Sequence, residues 1–353
     1  MTGQRKPRKA LWIGVFVALL ILAAVFWRMR GANFEWGLFL NTFQGLNWWW
    51  MSVSVACNLF SYVGRALRWE VMLRPLGKTL SIRKLTYDTV IGLSAVVLLG
   101  RPGEVVRPYL IATSAGLPFS SQMAAWILER ILDLLAVVLL FGLALARMPS
   151  QGLALSPGLR WVLETGGYLM AAIGAASVLF LILFRNFARP VQGRILSALT
   201  FLPPRYYQKI DHILTAFCTG MDATRDFGNL MRLIVYTVLE WATILISYYT
   251  FFLSFPVTWH FSITDVVVFL GFLCFGSLVQ IPGVGGGIQV TTVIVLTQIL
   301  KVSLESAAGL ALFLWIATYV VVVPAAAICA FLQGMSWGKL KQNLKEAAEE
   351  PAL

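Results

Sequence analysis

Gly100-Arg101-Pro102-Gly103-Glu104 and Pro282-Gly283-Val284-Gly285-Gly286-Gly287 each interrupt a long hydrophobic stretch, Thr86 to Ala115 in the first half of the chain and Ile263 to Leu300 in the second. Proline and clustered glycine stop a helix. Inside a bilayer the released backbone groups find no water, so such breaks persist only where protein or a polar cavity satisfies them. Interruptions at corresponding places in two halves point to a transport-type binding site between them.

Composition fixes the environment. Of 353 residues 59% are hydrophobic and 12% charged, with a mean hydropathy of +0.78, against roughly 25% charged in a soluble domain. The four cysteines, at 57, 218, 274 and 329, form no CxxC pair, and His212 and His260 are the only histidines. The cysteines read as packing residues, and neither a metal site nor any other cofactor is expected. The net charge of +12 would suit nucleic acid if it were clustered; its distribution points instead to membrane topology.

Runs of about 20 apolar residues predict membrane crossings at Ala10 to Trp27, Trp48 to Ala66, Gln122 to Ala146, Gly167 to Phe184, Leu233 to Leu253 and Ala307 to Leu332. Three of the four arms flanking the two breaks are too short to cross a core of roughly 30 Å, which predicts re-entrant hairpins. The arm from Ile263 to Ile281 is long enough to leave its type open. The expected fold is an all-α polytopic membrane protein with about six transmembrane helices and two re-entrant helical hairpins. Of the 28 Lys and Arg residues, 20 fall on one side, five on the other and three within the segments. The positive-inside rule then puts both termini in the cytoplasm. The first apolar segment ends in Trp27-Arg28-Met29-Arg30 and lacks a small-residue cleavage site, so it reads as an anchor.

Three crossings and one hairpin fall in each half, about 1–150 and 160–333, followed by a short cytoplasmic tail, 334–353. An odd number of crossings per half makes the halves an inverted 3+3 repeat within a single domain, the arrangement that alternating access uses. In the segment Arg185 to Arg232, Ile210, Ile213, Leu214, Phe217 and Met221 recur at helical spacing, which predicts an amphipathic helix on the inner surface.

Charges within the apolar segments are the candidate site. Glu129, Arg130 and Asp133 lie in one crossing, each costing about 2.5 to 3.5 kcal/mol if it faced lipid at the bilayer centre. Glu129 and Asp133 share a helix face and Arg130 sits about 100° around it. The first hairpin adds Arg101, Glu104 and Arg107, and these six ions sum to zero. They either pair with one another to pin the hairpin, or serve a polar headgroup, with Arg107 and Arg130 as bidentate phosphate contacts. In the second hairpin Gly283, Gly285, Gly286 and Gly287, beside Gln289, offer backbone N–H groups to an anion, or simply allow close helix packing. Arg68, near Arg65, either meets a phosphate at the inner interface or snorkels there, the latter being favoured. Asn58 reads as an interhelical hydrogen bonder, Asp265 as a helix cap, Trp48-Trp49-Trp50 as an interfacial belt, and Glu240 is ambiguous.

Ala66-Leu67-Arg68-Trp69, Gly100 to Arg107, Glu129-Arg130-Ile131-Leu132-Asp133 and the turn Pro282 to Gly287 occur in an order that resembles the flippase-like transmembrane domain of lysylphosphatidylglycerol synthases. The likeness runs over nearly the whole chain. It implies a stand-alone, flippase-like, polytopic protein of the bacterial inner membrane that moves an amphipathic lipid between leaflets; the arginines point to an anionic or phosphate-bearing membrane lipid, and the charge distribution to no nucleic-acid partner. No soluble aminoacyl-transfer domain is expected, so lysine transfer does not carry over. Gln289 stands where similar proteins often have a carboxylate, so a proton or cation role there does not carry over from the resemblance. The alternatives are a membrane-embedded transferase with Glu129 or Asp133 as general base, and a non-transporting scaffold in envelope lipid biosynthesis.

Overall fold

The computed structural model describes residues 34–147, 157–201, 203–220, 226–277, 280–281 and 285–334. The expected crossing from Ala10 to Trp27, the tail after residue 334, and Pro282, Gly283 and Val284 lie outside them. Twelve α-helices occur among the described residues. They are α1 Trp36–Asn41, α2 Trp48–Leu73, α3 Ile82–Leu99, α4 Val106–Ala115, α5 Phe119–Arg147 and α6 Pro157–Ala198. After these come α7 Pro204–Gly220, α8 Phe227–Leu253, α9 Ile263–Gly276, α10 Gly287–Ile294, α11 Leu304–Trp315 and α12 Val322–Leu332. Single π turns extend α10 through Ile299 and join α11 to α12.

Beside apolar core clusters, the protein buries ions and exposes large apolar side chains. Arg68 and Glu129 are fully buried, while Phe60, Val238 and Phe331 stand exposed at 62%, 60% and 82%. A surface like that needs a lipid solvent, whereas intramembrane ions must face protein. Phe227–Leu253 and Leu304–Leu332 are long and apolar enough to cross a bilayer on those two properties alone. In α5 the apolar run is interrupted by Glu129, Arg130 and Asp133, so its place depends on packing.

Caps set where the helices begin. Asn47 accepts from the Trp49 and Trp50 amides and starts α2, Asp226 starts α8, and Ser262 and Asp265 form a reciprocal capping box at α9. Asp265 is therefore a cap. Ser81 accepts from Lys84 N and starts α3 at Ile82, four residues before the apolar run. This arm has 18 residues, about 27 Å at 1.5 Å per residue. The helix α9 stops at Gly276 after 14 residues, about 21 Å, which is short of a bilayer core.

Both breaks fall where proline and glycine put them. Gly100, at φ 72°, ends α3, and Arg101–Val105 form a 3-10 turn into α4. A side chain at Gly92 would sit 2.4 Å from the Arg107 Cβ, and one at Gly103 would sit 2.3 Å from the Ala95 carbonyl oxygen. Glycine at both positions lets the arms touch. The second break closes by antiparallel pairing of Gln280 with Gly286 and Ile281 with Gly285.

The long helices α2 and α8 form the centre, with Ser54 Oγ donating to the Ser247 carbonyl at 2.7 Å and Ser247 Oγ donating to that of Ser54 at 2.8 Å. Asn58 Nδ2 donates to the Thr318 carbonyl at 3.0 Å, the interhelical bond its position suggests. Around this pair, α5 packs on α9 and α12 packs on α3. The helix α6 runs 42 residues, well past the apolar segment Gly167 to Phe184, and α7 folds back onto α5. The stripe Ile210, Ile213, Leu214 and Phe217 falls on α7, which ends at Gly220, and Met221 lies outside the described residues.

Candidate functional site

Arg68 organises the interior. It projects from the C-terminal half of α2 and has no exposed surface. Its Nη1 donates to Asp133 Oδ1 at 2.7 Å and its Nη2 to Glu129 Oε1 at 2.7 Å, and Nη2 lies 2.8 Å from Glu240 Oε2. One guanidinium thus ties α2 to α5 and α8. The snorkelling expectation for Arg68 is corrected: three carboxylates outcompete the route to the interface, because a buried charge is stable only when paired.

The helical spacing of α5 explains how its two acids converge. Glu129 and Asp133, four residues apart, present both carboxylates to one face, which meets α2. Glu129 also accepts from Trp69 Nε1 at 3.1 Å and from Arg107, whose Nη1 lies 3.2 Å from Oε1 and whose Nη2 pairs with Oε2. The Arg107 guanidinium lies 5.2 Å from the Trp69 ring centroid, a cation–π contact. The first hairpin is thereby fastened to α5 through the ion pair the sequence allowed. Arg65, one turn before Arg68, reaches Glu240 at 3.0 Å and stays within 4 Å of Glu129 and Asp133. Gly64 permits this, since a Cβ there would lie 3.3 Å from that of Glu240.

Beside the cluster is a cavity of about 430 Å³. Arg65, Arg101, Glu104, Arg107, Arg130 and Asp133 line it, together with the aliphatic side chains of Leu134, Val137, Ile244, Leu270 and Leu273. Arg130 pairs with Asp133 at 3.0 Å and keeps 37% of its side chain exposed. The Nε atoms of Arg65 and Arg130 are buried with no hydrogen-bond partner. Arg101 pairs with Glu104 and donates to the Ser277 carbonyl at the end of α9, so the tip of the first hairpin touches the first arm of the second.

Of the residues singled out in the sequence, Arg101, Glu104, Arg107, Arg130 and Asp133 thus border one cavity. Arg68 and Glu129 lie behind its wall, holding the others in place. Gly286, Gly287 and Gln289 do not line it, and Gly283 is outside the described residues. The Gly286 amide donates to Gln289 Oε1 at 2.7 Å, which caps α10. A side chain at Gly276 would sit 2.2 Å from Thr291 Oγ1, so close packing has a direct role at this turn. Arg65 and Glu240 were not among the selected residues; the readable signal was an acid in one apolar segment matched to paired arginines in another. Among the described residues no group of three or more His, Cys, Asp or Glu is placed to hold a metal ion.

A family model described as the lysylphosphatidylglycerol synthase TM region matches residues 12–326. None of the curated proteins and none of the solved structures compared with the chain matches it.

Proposed function

The chain belongs to the lysylphosphatidylglycerol synthase transmembrane-region family, an integral membrane protein of lipid biosynthesis or translocation, and we propose that it is a lipid translocase. Its substrate is an amphipathic lipid whose phosphate-bearing headgroup enters the arginine-lined cavity while its tails stay against apolar protein and lipid. The single observation that carries this reading is the composition of that cavity, whose lining joins four arginines and two carboxylates to aliphatic side chains. A headgroup crossing a bilayer needs a polar route, and its tails do not.

The packing supports an inverted repeat for the route. The last helix of the first half, α5, lies against the first hairpin arm of the second half, and α12 lies against the first hairpin arm of the first half. Such reciprocal contacts are what two inverted halves make. Rocking one half on the other would expose the cavity to each side in turn, with Arg101 to Ser277 as a contact that must break and reform. The two hairpins are taken as re-entrant, and both termini as cytoplasmic in the inner membrane.

The test uses purified protein in liposomes with fluorescent phospholipid and polyprenyl-phosphate probes. Wild type exchanges a probe between leaflets, and Arg107→Ala and Arg130→Gln lower the rate by about tenfold or more, as loss of a charged contact does. A wild type that exchanges no probe removes the translocase reading in favour of a transferase or scaffold.

A further inference from the structure

The ion cluster does not balance. Arg65, Arg68, Arg107 and Arg130 face Glu129, Asp133 and Glu240, so one positive charge is left over, and Arg101 with Glu104 adds none. The surplus belongs to the cavity side. Arg68 is closed off among three carboxylates, whereas Arg65, Arg107 and Arg130 reach the cavity wall. Arg65 and Arg130, like the enclosed Arg68, hold a buried Nε–H with no partner, and an unmade buried hydrogen bond is a standing cost that an acceptor would relieve where the side chain borders a cavity.

Glu240 decides the size of the surplus. It is 1% exposed, does not line the cavity, and lies 3.0 Å from Arg65 and 2.8 Å from Arg68. Without it the cluster would carry two excess charges. A low-dielectric site favours the ligand that brings it to neutrality, because an uncompensated charge is costly to bury.

Resting on the translocase reading, we infer that the cavity selects lipids whose headgroup carries a single net negative charge, a phosphodiester with an otherwise uncharged substituent, and that Glu240 sets this selectivity without touching the lipid. A zwitterionic headgroup brings a cation, and both carboxylates on the wall, Glu104 and Asp133, are already paired with arginine. A phosphomonoester in its dianionic form brings one charge more than the surplus. Glu240 is a positioning and charge-setting residue.

The experiment compares three tail-labelled probes in liposomes holding the full-length protein. These are phosphatidylglycerol as the monoanionic phosphodiester, phosphatidylcholine as the zwitterion, and phosphatidic acid at a pH where its phosphate is dianionic. Wild type exchanges phosphatidylglycerol at least about tenfold faster than either other probe, the discrimination expected of one buried charge. Glu240→Gln, which adds one positive charge, shifts the preference toward phosphatidic acid. Arg65→Gln, which removes the surplus, shifts it toward phosphatidylcholine. These opposite shifts are not what a merely structural role would give, and the Arg65 variant carries the test if Glu240→Gln fails to fold. Equal exchange of the three probes by wild type, or folded variants whose preference does not move, overturns the inference while leaving a translocase. Exchange of no probe by wild type overturns the translocase reading itself.

Discussion

Arg68 and Arg130 carry the same charge within one cluster and have opposite jobs. Arg68 has no exposed surface and answers three carboxylates. Arg68→Ala leaves buried acids without their main partner and costs about 3 to 5 kcal/mol, seen as a lowered melting temperature in detergent. Arg130 is 37% exposed on the cavity, so Arg130→Gln leaves the melting temperature nearly unchanged, within about 0.5 kcal/mol of stability, while slowing lipid exchange. A similar loss of melting temperature in both variants would contradict this division. The sequence made the acids legible, because Glu129 and Asp133 inside an apolar run have few acceptable environments. It hid the role of Arg68. Its position near the end of an apolar segment suits snorkelling equally well, and the deciding partner, Glu240, lies on a helix remote in the chain whose approach depends on Gly64.

At the scale of elements, the two breaks were readable because proline and glycine act locally. What they do next was not. The first hairpin closes because Gly92 and Gly103 let backbone meet backbone, and its start at Ile82 reflects the Ser81 cap. Gly92→Ala would place a methyl within 2.8 Å of the Arg107 Cα, prying the arms apart and drawing Arg107 from Glu129. The expected cost is about 1 to 3 kcal/mol, with loss of lipid exchange; an unchanged melting curve would show that the arms do not meet this closely. The second break looked like an anion nest from its glycines alone. Gln289 takes the Gly286 amide as its own cap, a use of the side chain that sequence spacing permits but does not single out.

For the whole molecule, the pattern of exposed aliphatic and aromatic side chains around buried ions follows from composition, and family membership agrees with it. Orientation rests on loop charge. With both termini inside, a cysteine introduced at Ser81 on a cysteine-free background is labelled from the cytoplasmic face, and one at Lys301 from the outer face. Labelling of both from the same face would break the inverted repeat. How the halves lock together could not be read from the chain, because the exchange of partners between α5 with α9 and α12 with α3 depends on tertiary contacts between elements far apart in sequence. The central claim is that a lipid lies in the cavity with its headgroup toward the arginines and a tail along the aliphatic wall. It is tested most directly by a photo-crosslinking residue at Leu273, on that wall, with one at Leu310, inside the helical core, as control. The account predicts lipid crosslinked at Leu273 in native membranes, reduced when Arg130 is replaced by Gln, and none at Leu310; no lipid at Leu273, or the same yield at both positions, would contradict it.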